Sequence, residues 1–186
     1  MADTKKYAEL SDKIVDLVGG KDNISFYALI VMTGMHVGLI PIAVTNISKL
    51  GYEPNMIAST ISNLNQGVAC LAVAAKTKDR ELRTTALSCG IAGVFGGVTE
   101  PAMFGVTLPL KMPLYGAITG GLVAGALAGL MHVYAYAFGS SAFPFAVFCY
   151  MDAEGNGIVT CLIALLIGAA VTFGTTWVLY KDAAQQ

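Results

Sequence analysis

The chain has 186 residues, 55% of them hydrophobic and 12% charged, against roughly 25% charged in soluble domains. A formal net charge of -1 without a broad basic face excludes a phosphate-tracking nucleic-acid binder. Cys70, Cys89, Cys149 and Cys161 stand singly, with no C-x-x-C pair, so neither a zinc site nor a disulfide framework is expected, and no metal or cofactor is called for. The mean hydropathy of +0.66, with charge crowded into the first two dozen residues, suits a bilayer as solvent.

Residues 4–18 read as an amphipathic helix. Tyr7, Leu10, Ile14, Leu17 and Val18 recur at helical spacing, and Gly19-Gly20 ends it. Such a helix either lies on the membrane or docks on a partner. The first 23 residues hold no apolar signal-peptide core, so a cleavable signal is not expected. From Ile24 to Ile47 only His36 could carry charge, which predicts a spanning helix with a kink at Pro41. Residues 55–75 form a second span, carrying Ser59, Thr60, Ser62, Asn63, Asn65 and Gln66. So many polar groups call for a face turned to protein or to a watery cavity.

The run from Lys76 to Arg83 is the densest basic cluster and is placed in the cytoplasm by the positive-inside rule. Residues 113–137 and 157–180 are two further spans, the first with Gly121, Gly125 and Gly129 as a small-residue packing ridge. Residues 138–156 hold no Lys or Arg and belong outside, returning Lys181 to the cytoplasm beside the N-terminus. That parity leaves Thr84 to Lys111 to enter and leave by one side. Residues 84–97 reach only about 21 Å as a helix, too short to cross. The expectation is therefore an all-α membrane protein of four spans plus a re-entrant hairpin.

Glu100, in Gly96-Gly97-Val98-Thr99-Glu100-Pro101, lies in the long uncharged stretch of that hairpin. A carboxylate there is costly unless hydrogen-bonded or hydrated. Pro101 disfavours helical geometry at Glu100, and the glycines allow a sharp turn. Broken backbone at membrane depth lines cavities, and transporters bind substrate at such breaks. A bent, water-lined pocket is expected, in which the carboxylate accepts bonds from two neighbouring sugar hydroxyls. Alternatively, Glu100 caps the hairpin or pairs with a basic residue. His36 can donate and accept, as a polyol site needs, or be a satisfied buried polar residue. His132 receives no role.

The run from Gly97 to Val106, Gly-Val-Thr-Glu-Pro-Ala-Met-Phe-Gly-Val, resembles the signature of the enzyme IIC membrane component of the phosphotransferase system. The β-glucoside, sucrose and trehalose branch of the glucose superfamily is the nearest in kind. Met35-His36-Val37, Gln66-Gly67 and the stretch from Thr107 to Pro113 fit it too, so the resemblance runs from about Ser25 to Tyr180. It implies a bacterial inner-membrane sugar permease with both termini cytoplasmic, working with IIA and IIB phosphotransferase components. It also implies a sugar site of Glu100 and His36, with Thr99 and Gly97 beside them. Residues 1–23 resemble the opening helix of a IIB domain, 24–181 the C-terminal half of IIC, and 182–186 a tail. The family's phosphoacceptor cysteine motif is absent, as are the N-terminal IIC helices, so the chain reads as a truncated permease component. The alternative is a non-catalytic remnant left by an internal deletion. Either is expected to associate with itself or with an intact permease.

Overall fold

A computed structural model describes residues 39–140, 142–152 and 156–181. The amphipathic segment 4–18, the first part of the first predicted span with His36, and the tail 182–186 lie outside them. The described residues are mostly helical and contain no strand. In chain order they form α1 (Leu39–Leu50), α2 (Met56–Lys76), α3 (Arg80–Ile91), the short turns α4 (Glu100–Ala102) and α5 (Leu108–Leu110), α6 (Met112–Leu130) and α7 (Asn156–Leu179). Three of these, α2, α6 and α7, are long and apolar enough to cross a membrane. The fold is thus that of an all-α membrane protein.

Helix α1 supplies the end of the first predicted span and carries Pro41. Helix α2 then buries the polar row noted in the sequence: Thr60, Asn63, Asn65 and Gln66 are all within 5% exposure. That face is turned to protein, not lipid.

Helices α6 and α7 pack antiparallel through small residues. A Cβ at Gly116 would overlap Thr176 Oγ1, one at Gly120 would overlap Thr172 Oγ1, and one at Gly168 would sit 2.5 Å from the Ala124 methyl. The contact ridge is therefore Gly116, Gly120 and Ala124. Of the expected ridge, Gly121 faces Asn65 of α2 and Gly129 faces open space. Gly121 and Gly125 are buried, so the expected ridge lies against protein at these two positions, while the α7 contact uses the neighbouring row of small residues.

Helix α6 also stops short of the expected 137. His132 takes a left-handed φ of 53°, the Val133 amide donates back to Ala128 O at 3.0 Å, and Met131 donates to Leu127 O at 2.9 Å. This closing turn satisfies the last carbonyls. Hydropathy runs on through Val133 and Ala135, which is why the sequence conceals the stop.

The two ends of the bundle are marked by contacts between remote segments. At one end, Glu53 and Ala135 exchange backbone hydrogen bonds of 2.7 and 2.9 Å. At the other, the Lys76 amine donates to the Trp177 and Tyr180 carbonyls and lies 5.7 Å from the Trp177 ring. The loops 51–55 and 131–150 thus share one end, and the loop 77–79 shares the other with the close of α7.

Candidate functional site at the hairpin tip

Asp79 starts α3 by accepting the Glu81 amide at 2.9 Å, a side-chain cap on an otherwise unpaired donor. The helix widens into a π-type turn over Ala92–Gly96 and ends at Gly97, whose φ of 67° favours glycine. Val98 donates back to Ala92 O at 3.3 Å. The chain then reverses through Thr99 and returns by α4, a second π-type turn over Met103–Thr107, and α5. Pro101 sits in the first turn of that returning arm, where it starts a helix and does not break one, so Glu100 itself is helical. This corrects the expectation that Pro101 pushes Glu100 out of helical geometry.

Both arms lie on α2. Gly67, Gly90 and Gly93 bring backbone against backbone: a Cβ on Gly67 would stand 2.8 Å from Val94 N and 2.9 Å from Gly90 O. Gly105 of the returning arm faces Cys89 Sγ and Thr85 of α3. Cys70 Sγ approaches Ala102 O at 3.8 Å. The tip is fixed by the Asn63 side-chain amide, which donates to Gly97 O at 3.2 Å. From Asn63 to Lys76 is about 20 Å of helix, so the tip stops well short of the α2 start.

A second segment meets the tip from the opposite end. Phe143 donates its amide to Val94 O at 3.0 Å, and Ala142 packs where a Gly97 Cβ would be. This segment is anchored by Tyr150, wholly buried, whose hydroxyl lies 2.8 Å from Thr60 Oγ1. Burial pushes the Tyr150 phenol well up, so the group stays protonated and able to donate.

The structure thus brings three of the four expected site residues together. Thr99 is buried, Gly97 forms the turn, and Glu100 stands exposed on the open side of the tip. Exposed Phe95, Val98 and Phe104 flank it. The described residues do not enclose the carboxylate, which corrects the pocket expected from the sequence. His36 falls outside the described residues. Sequence reasoning missed Glu53, a carboxylate only 1% exposed that accepts from Asn46 Nδ2 at 2.6 Å and from the Asn55 amide at 2.9 Å. Its place just ahead of Pro54-Asn55 at a helix start was the available signal.

Comparisons with known proteins bear on this site. A family model described as "Phosphotransferase system, EIIC" matches residues 17–121, a stretch that takes in α2 and the whole hairpin. The chain is 33% identical over 156 residues to the arbutin-, cellobiose-, and salicin-specific EIIBC component of Escherichia coli, covering 83% of this chain and 32% of that one. It is 33% identical over 169 residues to the sucrose-specific EIIBC component of Pasteurella multocida, covering 89% and 35%. It is 36% identical over 116 residues to the beta-glucoside-specific EIIBCA component of Bacillus subtilis, covering 62% and 19%. The chain therefore spans about a third or less of the length of these relatives. No solved structure matches it.

Proposed function

This chain belongs to the EIIC family of the phosphotransferase system, and on that premise we propose that it is a membrane sugar-permease component of the β-glucoside and sucrose branch. It binds a β-glucoside or related disaccharide at the hairpin tip and passes it inward for phosphorylation by a IIB domain. The observation that carries this reading is the placement of the signature run at a chain reversal, with Glu100 on its open side. A carboxylate beside a break in the backbone can receive two vicinal hydroxyls in short, charge-assisted bonds while the neighbouring peptide groups remain free to shape the site. Gly97 allows the turn and Thr99 seats it; His36 is the fourth residue of the proposed site. The fused EIIBC and EIIBCA organisation of the relatives supports IIB and IIA components as partners.

We read the hairpin as re-entrant. Its arms begin and end at the bundle end marked by Lys76 and Tyr180, and that end carries the basic run, so it faces the cytoplasm. The protein lies in the bacterial inner membrane, with both termini inside. Vesicles holding the full chain should bind a labelled β-glucoside such as arbutin saturably. In the same vesicles, thiols introduced at Lys78 and Lys111 should both react with an impermeant maleimide from the cytoplasmic face. No saturable binding would overturn the sugar assignment, and labelling of the two positions from opposite faces would overturn the re-entrant path.

Leu87, Ile91, Phe95, Val98 and Phe104 form an exposed apolar band along the hairpin. We propose that a second copy or an intact permease covers it, since the exposed Glu100 carboxylate beside the band would otherwise meet lipid. The detergent-solubilised protein should then have a mass above that of one 19.4 kDa chain, and a homogeneous monomer would count against the cover.

A further inference from the structure

Glu53 is the one deeply buried carboxylate among the described residues, and the sugar-binding reading makes no use of it. Its two oxygens take one donor from each flanking helix: Asn46 Nδ2 of α1 at 2.6 Å and the Asn55 amide at the start of α2 at 2.9 Å. Its backbone pairs in both directions with Ala135, and the neighbouring Tyr52 and Tyr134 rings stand 4.8 Å apart. From there the connection continues without a gap. Tyr136 donates to Cys149 O at 2.8 Å, Ala146 donates to Ala142 O at 2.8 Å, and Phe143 donates to Val94 O at the tip.

We infer that Glu53 is a positioning residue for the sugar site: its carboxylate fixes the α1–α2 connection, and the backbone of that connection, paired with Ala135, holds the outer segment that keeps the hairpin tip closed toward the outer face. The inference rests on the reading of that tip as the sugar site and of that end as the outer one. A carboxylate suits a latch because both of its states are satisfied. Shut, its oxygens hold two directed donors; open, they are hydrated. An apolar contact of the same size would be costly to expose. The grip also depends on Asn46, a neutral side chain on α1, so displacement of that helix releases it.

The test uses the full chain in vesicles with a thiol introduced by Ala142→Cys, at the buried contact of the outer segment with Gly97. All four native cysteines are buried as well, and mass spectrometry reads position 142 apart from them. An impermeant maleimide applied to the outer face should label position 142 about tenfold faster or more once Glu53→Ala removes the two bonds. Asn46→Ala, which removes one donor and leaves the carboxylate, should give a smaller increase of the same sign. The exchange of Glu53→Gln with Asn46→Asp should restore slow labelling, since donor and acceptor merely trade places. Unchanged rates in both Glu53→Ala and Asn46→Ala would overturn the inference. So would an equal rise from both faces, which marks general loosening. Labelling is read without sugar, so a failure of β-glucoside binding overturns the Glu100 assignment and leaves this result legible.

Discussion

Replacing Gly67 with valine is expected to unseat the hairpin from α2 and expose two cysteines that the parent keeps buried. The added Cβ would lie 2.7 Å from Val94 Cγ2, 2.8 Å from Val94 N and 2.9 Å from Gly90 O. Two of those three atoms are backbone, so no rotamer change relieves the contact. Forcing bulk into a packed contact typically costs about 1–3 kcal/mol, and here the hairpin as a whole must lift. Cys70 beneath Ala102 and Cys89 beside Gly105 lose their cover when it does. Cys149 and Cys161 pack elsewhere, in the cluster around Tyr150 and Leu165, and serve as internal controls. Maleimide labelling followed by mass spectrometry should find Cys70 and Cys89 modified in Gly67→Val and all four thiols protected in the parent. An unchanged labelling pattern would show that the glycine contact does not hold the hairpin down.

The parts of the fold that were legible in the sequence are those decided by local chemistry. Uncharged runs of sufficient length mark α2, α6 and α7. The amides of α2 reveal a face packed on protein, because lipid offers them no partner. Gly96-Gly97 marks the break, since few other residues take the φ of 67° found there. What stayed hidden depends on partners distant in the chain or on conformations that residue type does not announce. The close of α6 uses a histidine in the left-handed region where glycine is the usual sign. The choice of Gly116 and Gly120 over Gly121 and Gly129 as the α7 contact follows from where Thr172 and Thr176 stand on another helix.

The same division holds at the site. Glu100 stands out because an acid in a long apolar stretch needs a reason, and the signature around it ties Thr99 and Gly97 to it. Its degree of enclosure was not legible, since that depends on what faces the tip. Glu53 received no role from the sequence. Its burial arises from Asn46, back on α1, and from Ala135, far from it in sequence, which only the fold brings together. The contact of Ala142 and Phe143 with the tip was equally hidden, because the segment carries no residue type that calls for it.

The central claim is that the Glu100 carboxylate holds the sugar. Charge-assisted hydrogen bonds contribute about 1.5–3 kcal/mol each, and the carboxylate is placed to accept two. Glu100→Gln keeps the shape and removes the charge, leaving one acceptor oxygen and one amide that cannot accept. A loss of about 3 kcal/mol is expected, which is roughly a hundredfold in affinity. Because the side chain is exposed and caps nothing within the described fold, stability should hardly change. Isothermal titration of an arbutin-type β-glucoside into the parent and into Glu100→Gln, under one set of conditions, measures this directly. The account predicts saturable binding by the parent and binding about a hundredfold weaker by the variant at the same melting temperature; equal affinities in the two would contradict it.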